Sequence, residues 1–164
     1  MAFLIGGANS AAADTAFDVA NSCRFDGSND YVTIADSSSF YDAYQQNMTV
    51  SCWIYANDGS VGYIIEKGAD DANGWYFIYS HGGSNKRIGF GANSYGTITV
   101  STGTDISGLG AEGITSLSTT TWYHVCAIYT YINSSSSSVK IYLNSVLDCS
   151  FSVDDDLSPS ASTN

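Results

Sequence analysis

The sequence contains little proline and few basic residues, and both shortages restrict what the chain can be. Proline occurs once, at Pro159, and 5 Lys and Arg residues stand against 16 Asp and Glu residues, which gives a formal net charge of −11 over 164 residues. A field of this sign repels phosphate backbones, so we expect no nucleic-acid partner. No apolar stretch is long enough to span a bilayer, and we therefore also expect no membrane insertion.

Motifs for export and for zinc binding are missing as well. The apolar run Phe3 to Ile5 has no basic segment before it, which favours a retained first strand over a signal peptide. The four cysteines show no CxxC or Cys-His spacing: Cys23, Cys52, Cys126 and Cys149. Because Cys52 and Cys126 stand at strand positions that suit a small hydrophobe, we predict free core thiols. A disulfide between these two is the alternative to test first.

The chain is rich in alternating β-branched and aromatic residues, most clearly between Thr121 and Cys149. Two alternating runs there flank the serine tract Ser134 to Ser138, and Asn144-Ser145 then supplies a tight turn. This pattern predicts a three-stranded antiparallel meander. Similar patterns predict strands at 3–5, 48–56, 61–67, 74–80, 86–91 and 97–101, and a hairpin at 23–34.

The remaining segments predict little regular structure. Residues 36–46 are compatible with a helical turn. Residues 102–120 contain several glycines and have a weak pattern, which indicates an exposed connection. We therefore divide the chain into an N-terminal apolar segment and linker (1–21), a β-sandwich domain (22–153) and an acidic, serine-rich tail (154–164).

Six blocks of sequence, taken in order, resemble the laminin-G-like branch of the concanavalin A-like lectin/glucanase superfamily. The blocks are Cys23–Val32, Met48–Ile54, Ile64–Gly68, Trp75–Tyr79, Trp122–Val125 and Val139–Asn144. The resemblance implies an all-β fold, a jelly-roll sandwich of two antiparallel sheets. It also implies that Trp53, Trp122 and His124 are core or edge-of-core positions rather than ligands.

The sequence departs from that family in two places. Asn144-Ser145 stands where the family usually has Asp-Gly, an exchange that a tight turn tolerates. The family's final strands, including one with an Asp-Glu or Asp-Asp motif, have no counterpart before Asn164. Either the chain is a fragment, or the sandwich is closed differently, for example by a strand from another subunit.

The carboxylates do not form the pattern that glycoside hydrolysis requires. Hydrolases of this superfamily place two carboxylates a few residues apart on one strand, whereas Glu66 and Glu112 are far apart and no Glu-x-Asp-x-Glu pattern occurs. His81 and His124 have no nucleophile elbow beside them. We therefore expect no enzymatic activity.

A glycan site needs aromatic faces together with Asp, Asn and backbone groups that hold the hydroxyls. The stretch Asp70 to Trp75 supplies both kinds of group, and we predict a glycan-binding rim made of Asp70, Asp71, Asn73, Trp75, Tyr79, His81, Asn93 and Tyr95. For Trp75 and Tyr79 the alternative is packing inside the sandwich. Asp70, Asp71 and Asn73 also form a candidate calcium site, since laminin-G-like domains often carry calcium on a loop rim.

A shorter resemblance, over Phe3 to Ala8 and Asn21 to Phe25, is to lectin-like structural proteins of tailed bacteriophages. It implies a non-enzymatic virion protein assembled in the host cytoplasm: a capsid decoration, tail or fibre component. Its sandwich would dock on other virion subunits as a homo- or hetero-oligomer, with host-surface glycan as a further ligand. The alternative is a free or secreted, extracellular carbohydrate-binding or adhesion module assisted by calcium.

Overall fold

β-Strands are the regular secondary structure of the part that the computed structural model describes, which comprises residues 2–4, 23–28, 30–34, 46–67, 75–81, 85–92, 97–106 and 110–154. The strands are β1 (Ala2–Leu4), β2 (Cys23–Arg24), β3 (Met48–Tyr55), β4 (Gly62–Lys67), β5 (Trp75–Tyr79), β6 (Ile88–Ala92), β7 (Ile98–Thr102), β8 (Thr104–Asp105), β9 (Gly110–Glu112), β10 (Trp122–Asn133), β11 (Ser136–Leu143) and β12 (Val146–Val153).

The strands form two antiparallel sheets, which confirms the predicted sandwich. The larger sheet has seven strands in the order β2-β1-β3-β10-β11-β12-β7, and the smaller has five in the order β4-β5-β6-β9-β8. Side chains from both sheets fill the space between them. This core includes Cys52, Ile54, Phe77, Tyr79, Ile88, Phe90, Val125, Tyr129, Val139, Ile141, Phe151 and Val153.

The predicted meander is confirmed as the centre of the seven-stranded sheet. β10, β11 and β12 pair in succession, with Asn133 opposite Ser136 and Leu143 opposite Val146. The serine tract is therefore mostly strand, and the connection within it is shorter than predicted. Asn144 and Ser145 form the second turn with φ angles of 48° and 70°. Asn suits such a position because its short polar side chain tolerates left-handed backbone.

The N-terminal strand joins its own sheet, where β1 lies between β2 and β3. The hairpin predicted over 23–34 forms only in part. Its turn is present at Gly27, which has a φ of 85°, and the backbone N–H of Asp26 donates to Asp30 Oδ2 at 2.8 Å. Residues 30–34 do not belong to a strand, so the second arm was predicted wrongly. The helical turn predicted at 36–46 lies outside the described residues except for Gln46.

The segment 102–120 is not the exposed connection that we predicted. It contributes β8 and β9 to the five-stranded sheet and buries Ile106, Ala111 and Leu117. Gly110 in β9 explains the weak sequence pattern, because a Cβ atom there would clash with the carbonyl oxygen of Phe90 on β6. Close approach of two backbones here requires glycine, which interrupts the alternation that marks a strand.

No helix among the described residues is long and apolar enough to cross a membrane.

Candidate functional site

Five of the eight residues predicted for the glycan rim lie outside the described residues: Asp70, Asp71, Asn73, Asn93 and Tyr95. The predicted calcium site falls on three of these and therefore stays a prediction. His81 is described, and it lies half-buried in the turn after β5. Among the residues that the structure describes, no three His, Cys, Asp or Glu side chains lie close enough together to hold a metal ion.

Trp75 and Tyr79 are buried, so their rings cannot stack on a sugar. Their exposed fractions are 8% and 1%, and the Trp75 ring stacks on that of Phe90 with centroids 5.8 Å apart. The Tyr79 hydroxyl donates to the backbone oxygen of Asp58 at 3.0 Å. Both rings belong to the sandwich core, so the packing alternative describes them correctly. The uninterrupted apolar sequence of β5 is typical of a strand that is covered on both faces.

A different group of aromatic side chains lies on the outward side of the seven-stranded sheet. On β3 and β10 the pairs Tyr55–Trp122 and Trp53–His124 stand directly opposite each other in the strand register. Their ring centroids are 5.3 Å and 5.4 Å apart, respectively. All four side chains are half-buried. We call these four residues the aromatic corner.

Alternation along the strands explains why these rings point outward. Cys52, Ile54 and Val125 are next to these rings in sequence and are buried in the core, and successive side chains of a strand point to opposite faces. Trp53, Trp122 and His124 were expected at core or edge-of-core positions; their outward direction excludes the core, and their half-buried side chains fit the edge. The alternation of Val50, Cys52 and Ile54 with Trp53 and Tyr55 predicts either a strand covered on both faces or one with an aromatic surface, and the half-buried Trp53 and Tyr55 fit the second alternative.

Hydrogen bonds fix the polar part of the aromatic corner. The Ser51 hydroxyl lies 3.0 Å from His124 Nε2, and the backbone N–H of His124 donates to Asn144 Oδ1 at 2.9 Å. The Asn144 N–H in turn donates to the His124 carbonyl oxygen at 2.9 Å. The turn between β11 and β12 is thus tied to the His124 backbone, while the Ser51 hydroxyl contacts the imidazole itself.

The surface around the aromatic corner differs in charge from the chain as a whole. We call the outward side chains of β3, β10, β11, β12 and β7 the outer face. Among the residues described, this face includes no Asp or Glu. Its side chains are Thr49, Ser51, Trp53, Tyr55, Thr99, Trp122, His124, Cys126, Ile128, Thr130, Ser138, Lys140, Tyr142, Leu147, Ser150 and Ser152. Lys140 is the one Lys or Arg in this set. The outer face therefore presents aromatic rings and hydroxyl groups on an otherwise strongly acidic protein.

Comparison with known families supports the architecture. A laminin-G model of the concanavalin A-like lectin/glucanases superfamily matches residues 26–164, which is most of the chain. The chain belongs to this superfamily. No curated protein and no solved structure matches the sequence.

Two buried carboxylates of this concanavalin A-like sandwich are held by its own residues. Glu112 accepts hydrogen bonds from Asn85 Nδ2 and, at 3.2 Å, from Arg87 Nη1. Asp148 Oδ1 accepts from the backbone N–H and hydroxyl of Thr115 at 3.2 Å and 2.5 Å. Their residues are only 6% and 4% exposed, so neither carboxylate is presented to a ligand. Glu112 ties β9 to the segment before β6, and Asp148 ties the segment after β9 to β12.

All four cysteines are free, as predicted, but only two of them are core thiols. Cys52 and Cys149 are buried, Cys126 is half-buried, and Cys23 is exposed. Burial raises the pKa of the Cys52 thiol from 9.0 to about 12, with a further contribution from Cys126. Burial likewise raises the pKa of Cys149 to about 12, helped by the charges of Asp148 and Glu112. Cys52 and Cys126 point to opposite faces of the sheet, so the predicted alternative of a bridge between them does not fit.

Proposed function

We propose that the chain is a non-catalytic carbohydrate-binding module whose ligand stacks on the aromatic corner. The observation that carries this proposal is the pair of cross-strand aromatic contacts on an outer face that has no carboxylate among its described residues. Aromatic rings bind the apolar face of a sugar, while a few positioned polar groups orient its hydroxyls. Trp122, Trp53 and Tyr55 supply the rings, and Ser51 and His124 supply the polar groups.

The positions of the buried carboxylates support a non-catalytic role. Glycoside hydrolysis needs two carboxyl groups that both reach the glycosidic bond. Glu112 is tied to Asn85 and Arg87, and Asp148 is tied to Thr115, inside the sandwich. The outer face, where we place the sugar, has no carboxylate among its described residues to act as acid or nucleophile.

A glycan array followed by calorimetry on the glycans that bind tests this function. We expect Trp122→Ala and Trp53→Ala each to reduce affinity about tenfold or more, since each removes a stacking face. Tyr31→Ala is the matched control, because Tyr31 is 81% exposed and lies outside the outer face. Unchanged affinity in both tryptophan variants, or the absence of any binding glycan, would reject the site.

Calcium assistance at Asp70, Asp71 and Asn73 is a separate part of the proposal. Carboxylate and amide oxygens are suitable ligands for calcium. Repeating the calorimetry with calcium and then with a chelator tests it. A calcium-dependent affinity that Asp70→Asn removes would support the prediction, and equal affinities in both buffers would exclude a role for calcium in binding.

An assembly role is the second candidate: a virion capsid decoration, tail or fibre component, with extracellular display as the alternative location. It is favoured by the exposed apolar side chains of Tyr31, Val32 and Ile34, which are 81%, 71% and 67% exposed along one short segment. Runs of exposed apolar residues often mark contacts with other proteins. The pairing of Ala2–Leu4 with β2 and β3 of the same chain weighs against docking of that segment in a neighbour.

Native mass spectrometry distinguishes the two candidates. A stable monomer favours the free binding module, whereas an oligomer that Val32→Asp dissociates favours assembly. Thr33→Asp is the matched control, because it adds the same charge to the same segment without removing an apolar side chain.

A further inference from the structure

We propose that the outer face takes an extended, uncharged polysaccharide chain that crosses from the aromatic corner to Tyr142, rather than a single sugar. This inference rests on the proposed function, because it assumes that glycans bind at the aromatic corner. It adds the length of the ligand, its charge class and one further binding residue.

Aromatic side chains are placed on three successive rows of the outer face. The Tyr55–Trp122 pair forms the first row and the Trp53–His124 pair the second. In the third row Cys126 stands opposite Tyr142 on β11, and Tyr142 stands opposite Leu147 on β12. Tyr142 is half-buried, and Leu147 is 42% exposed. Rings are therefore available on β3, β10 and β11 along one diagonal.

The length of this diagonal exceeds one sugar ring. Trp122 and Cys126 are four residues apart on β10, which is about 13 Å along an extended strand. Crossing from β10 to β11 adds about 4.8 Å in the perpendicular direction. A single pyranose cannot contact both Trp122 and Tyr142 across this distance, whereas an extended oligosaccharide can contact both.

The net negative charge of the protein favours an uncharged glycan as the ligand. The protein carries a formal charge of −11, and such a field repels polyanionic glycans at long range. Lys140 on the outer face and Arg24 on β2, which shares the row of Tyr55 through Ala2, do not offset that field. The hydroxyls of Ser51, Thr49, Thr130 and Ser138 line the same face and can both donate to and accept from sugar hydroxyls.

The test uses neutral polymers and oligosaccharides of two lengths. Cellulose, chitin, xylan and mannan are compared with the polyanions alginate and heparin, and the disaccharide and hexasaccharide of each binding polymer are measured by calorimetry. We expect a neutral polymer to bind with an affinity that is nearly constant between about 50 and 200 mM salt. We also expect the hexasaccharide to bind about tenfold tighter than the disaccharide.

Tyr142→Ala is the decisive variant. It is expected to weaken hexasaccharide binding about three- to tenfold, since one stacking contact is lost, and to leave disaccharide binding unchanged. Tyr142→Phe, which keeps the ring, should retain hexasaccharide affinity, and thermal unfolding checks that both variants fold.

The outcomes separate this inference from the proposed function. Equal affinity for both lengths, equal loss of both in Tyr142→Ala, or binding of polyanions alone would overturn the extended, uncharged ligand while leaving a glycan-binding module in place. If no glycan in the panel or on the array binds, the proposed function fails together with the inference.

Discussion

Two aromatic clusters of this sandwich have similar composition and opposite surroundings. The inner cluster consists of Trp75, Phe77 and Phe90 on β5 and β6, with exposed fractions of 8%, 0% and 0%. The aromatic corner on β3 and β10 is half-buried and faces outward. In both clusters the rings contact each other at centroid distances between 5 and 7 Å.

The difference lies in the residues between the rings. On β5 the aromatic residues follow one another without a polar break, so both faces of the strand must be covered. Beside the aromatic corner, Cys52, Ile54 and Val125 take inward positions on β3 and β10, and the rings of the corner lie on the opposite, outer face. The size of an aromatic residue therefore does not by itself identify a core position in this protein, because the strand face on which the residue lies decides its burial.

Truncation of the inner cluster should give the largest effect on stability. Phe90→Ala removes a fully buried ring that contacts both Trp75 and Phe77, and we expect a loss of about 3 to 5 kcal/mol in the free energy of unfolding. Urea unfolding followed by tryptophan fluorescence measures it. Phe90→Leu is the matched control, because it keeps most of the apolar volume and should lose less. A loss below about 1 kcal/mol in Phe90→Ala would show that the inner cluster is not the core.

Cys52 on the inward face of β3 and Cys126 on the outward face of β10 allow the two faces to be compared through the pH dependence of stability. Below pH 9 the Cys52 thiol is protonated in both the folded and the unfolded state, so it does not make the free energy of unfolding depend on pH. Its folded pKa is raised from 9.0 to about 12, so above pH 9 the thiol ionises only in the unfolded state. We therefore expect the free energy of unfolding to fall by about 1.4 kcal/mol per pH unit for this thiol as the pH rises above 9.

Urea unfolding at several pH values between about 8 and 10.5 measures this slope. Cys149 has the same raised pKa and should add to the decline. Cys52→Ala should make the decline shallower, while Cys126→Ala, which changes a half-buried thiol on the outer face, should affect the slope less. Identical slopes in the two variants would contradict the assignment of Cys52 to the core and of Cys126 to the outer face.

The sandwich itself was predictable because the local sequence pattern indicates most of its strands. In the meander, β-branched and aromatic residues alternate with small or polar ones, and Asn144-Ser145 marks the turn. The strands β8 and β9 were missed because they are short and because Gly110 replaces a side chain where two backbones meet.

The aromatic corner was not predictable in the same way. Trp53 and Trp122 lie on strands that are distant in sequence, and only the register of β3 with β10 brings them into neighbouring rows. Register depends on pairing across the whole sheet, which no local pattern reveals. The nearest signal was the alternation within β3, which showed that two aromatic residues share a face but not which face lies outward.

Truncation on the outer face should have the smallest effect on stability and a large effect on binding. Trp122→Ala removes one cross-strand ring contact with Tyr55 on a half-exposed surface, and we expect a loss of about 1 kcal/mol in the free energy of unfolding. The same variant should lose about tenfold or more in glycan affinity. Trp122→Phe keeps a ring at this position and should restore most of both quantities. A loss of stability as large as that of Phe90→Ala would mean that Trp122 belongs to the core, and the two clusters would then be parts of one packing unit rather than a core and a binding surface.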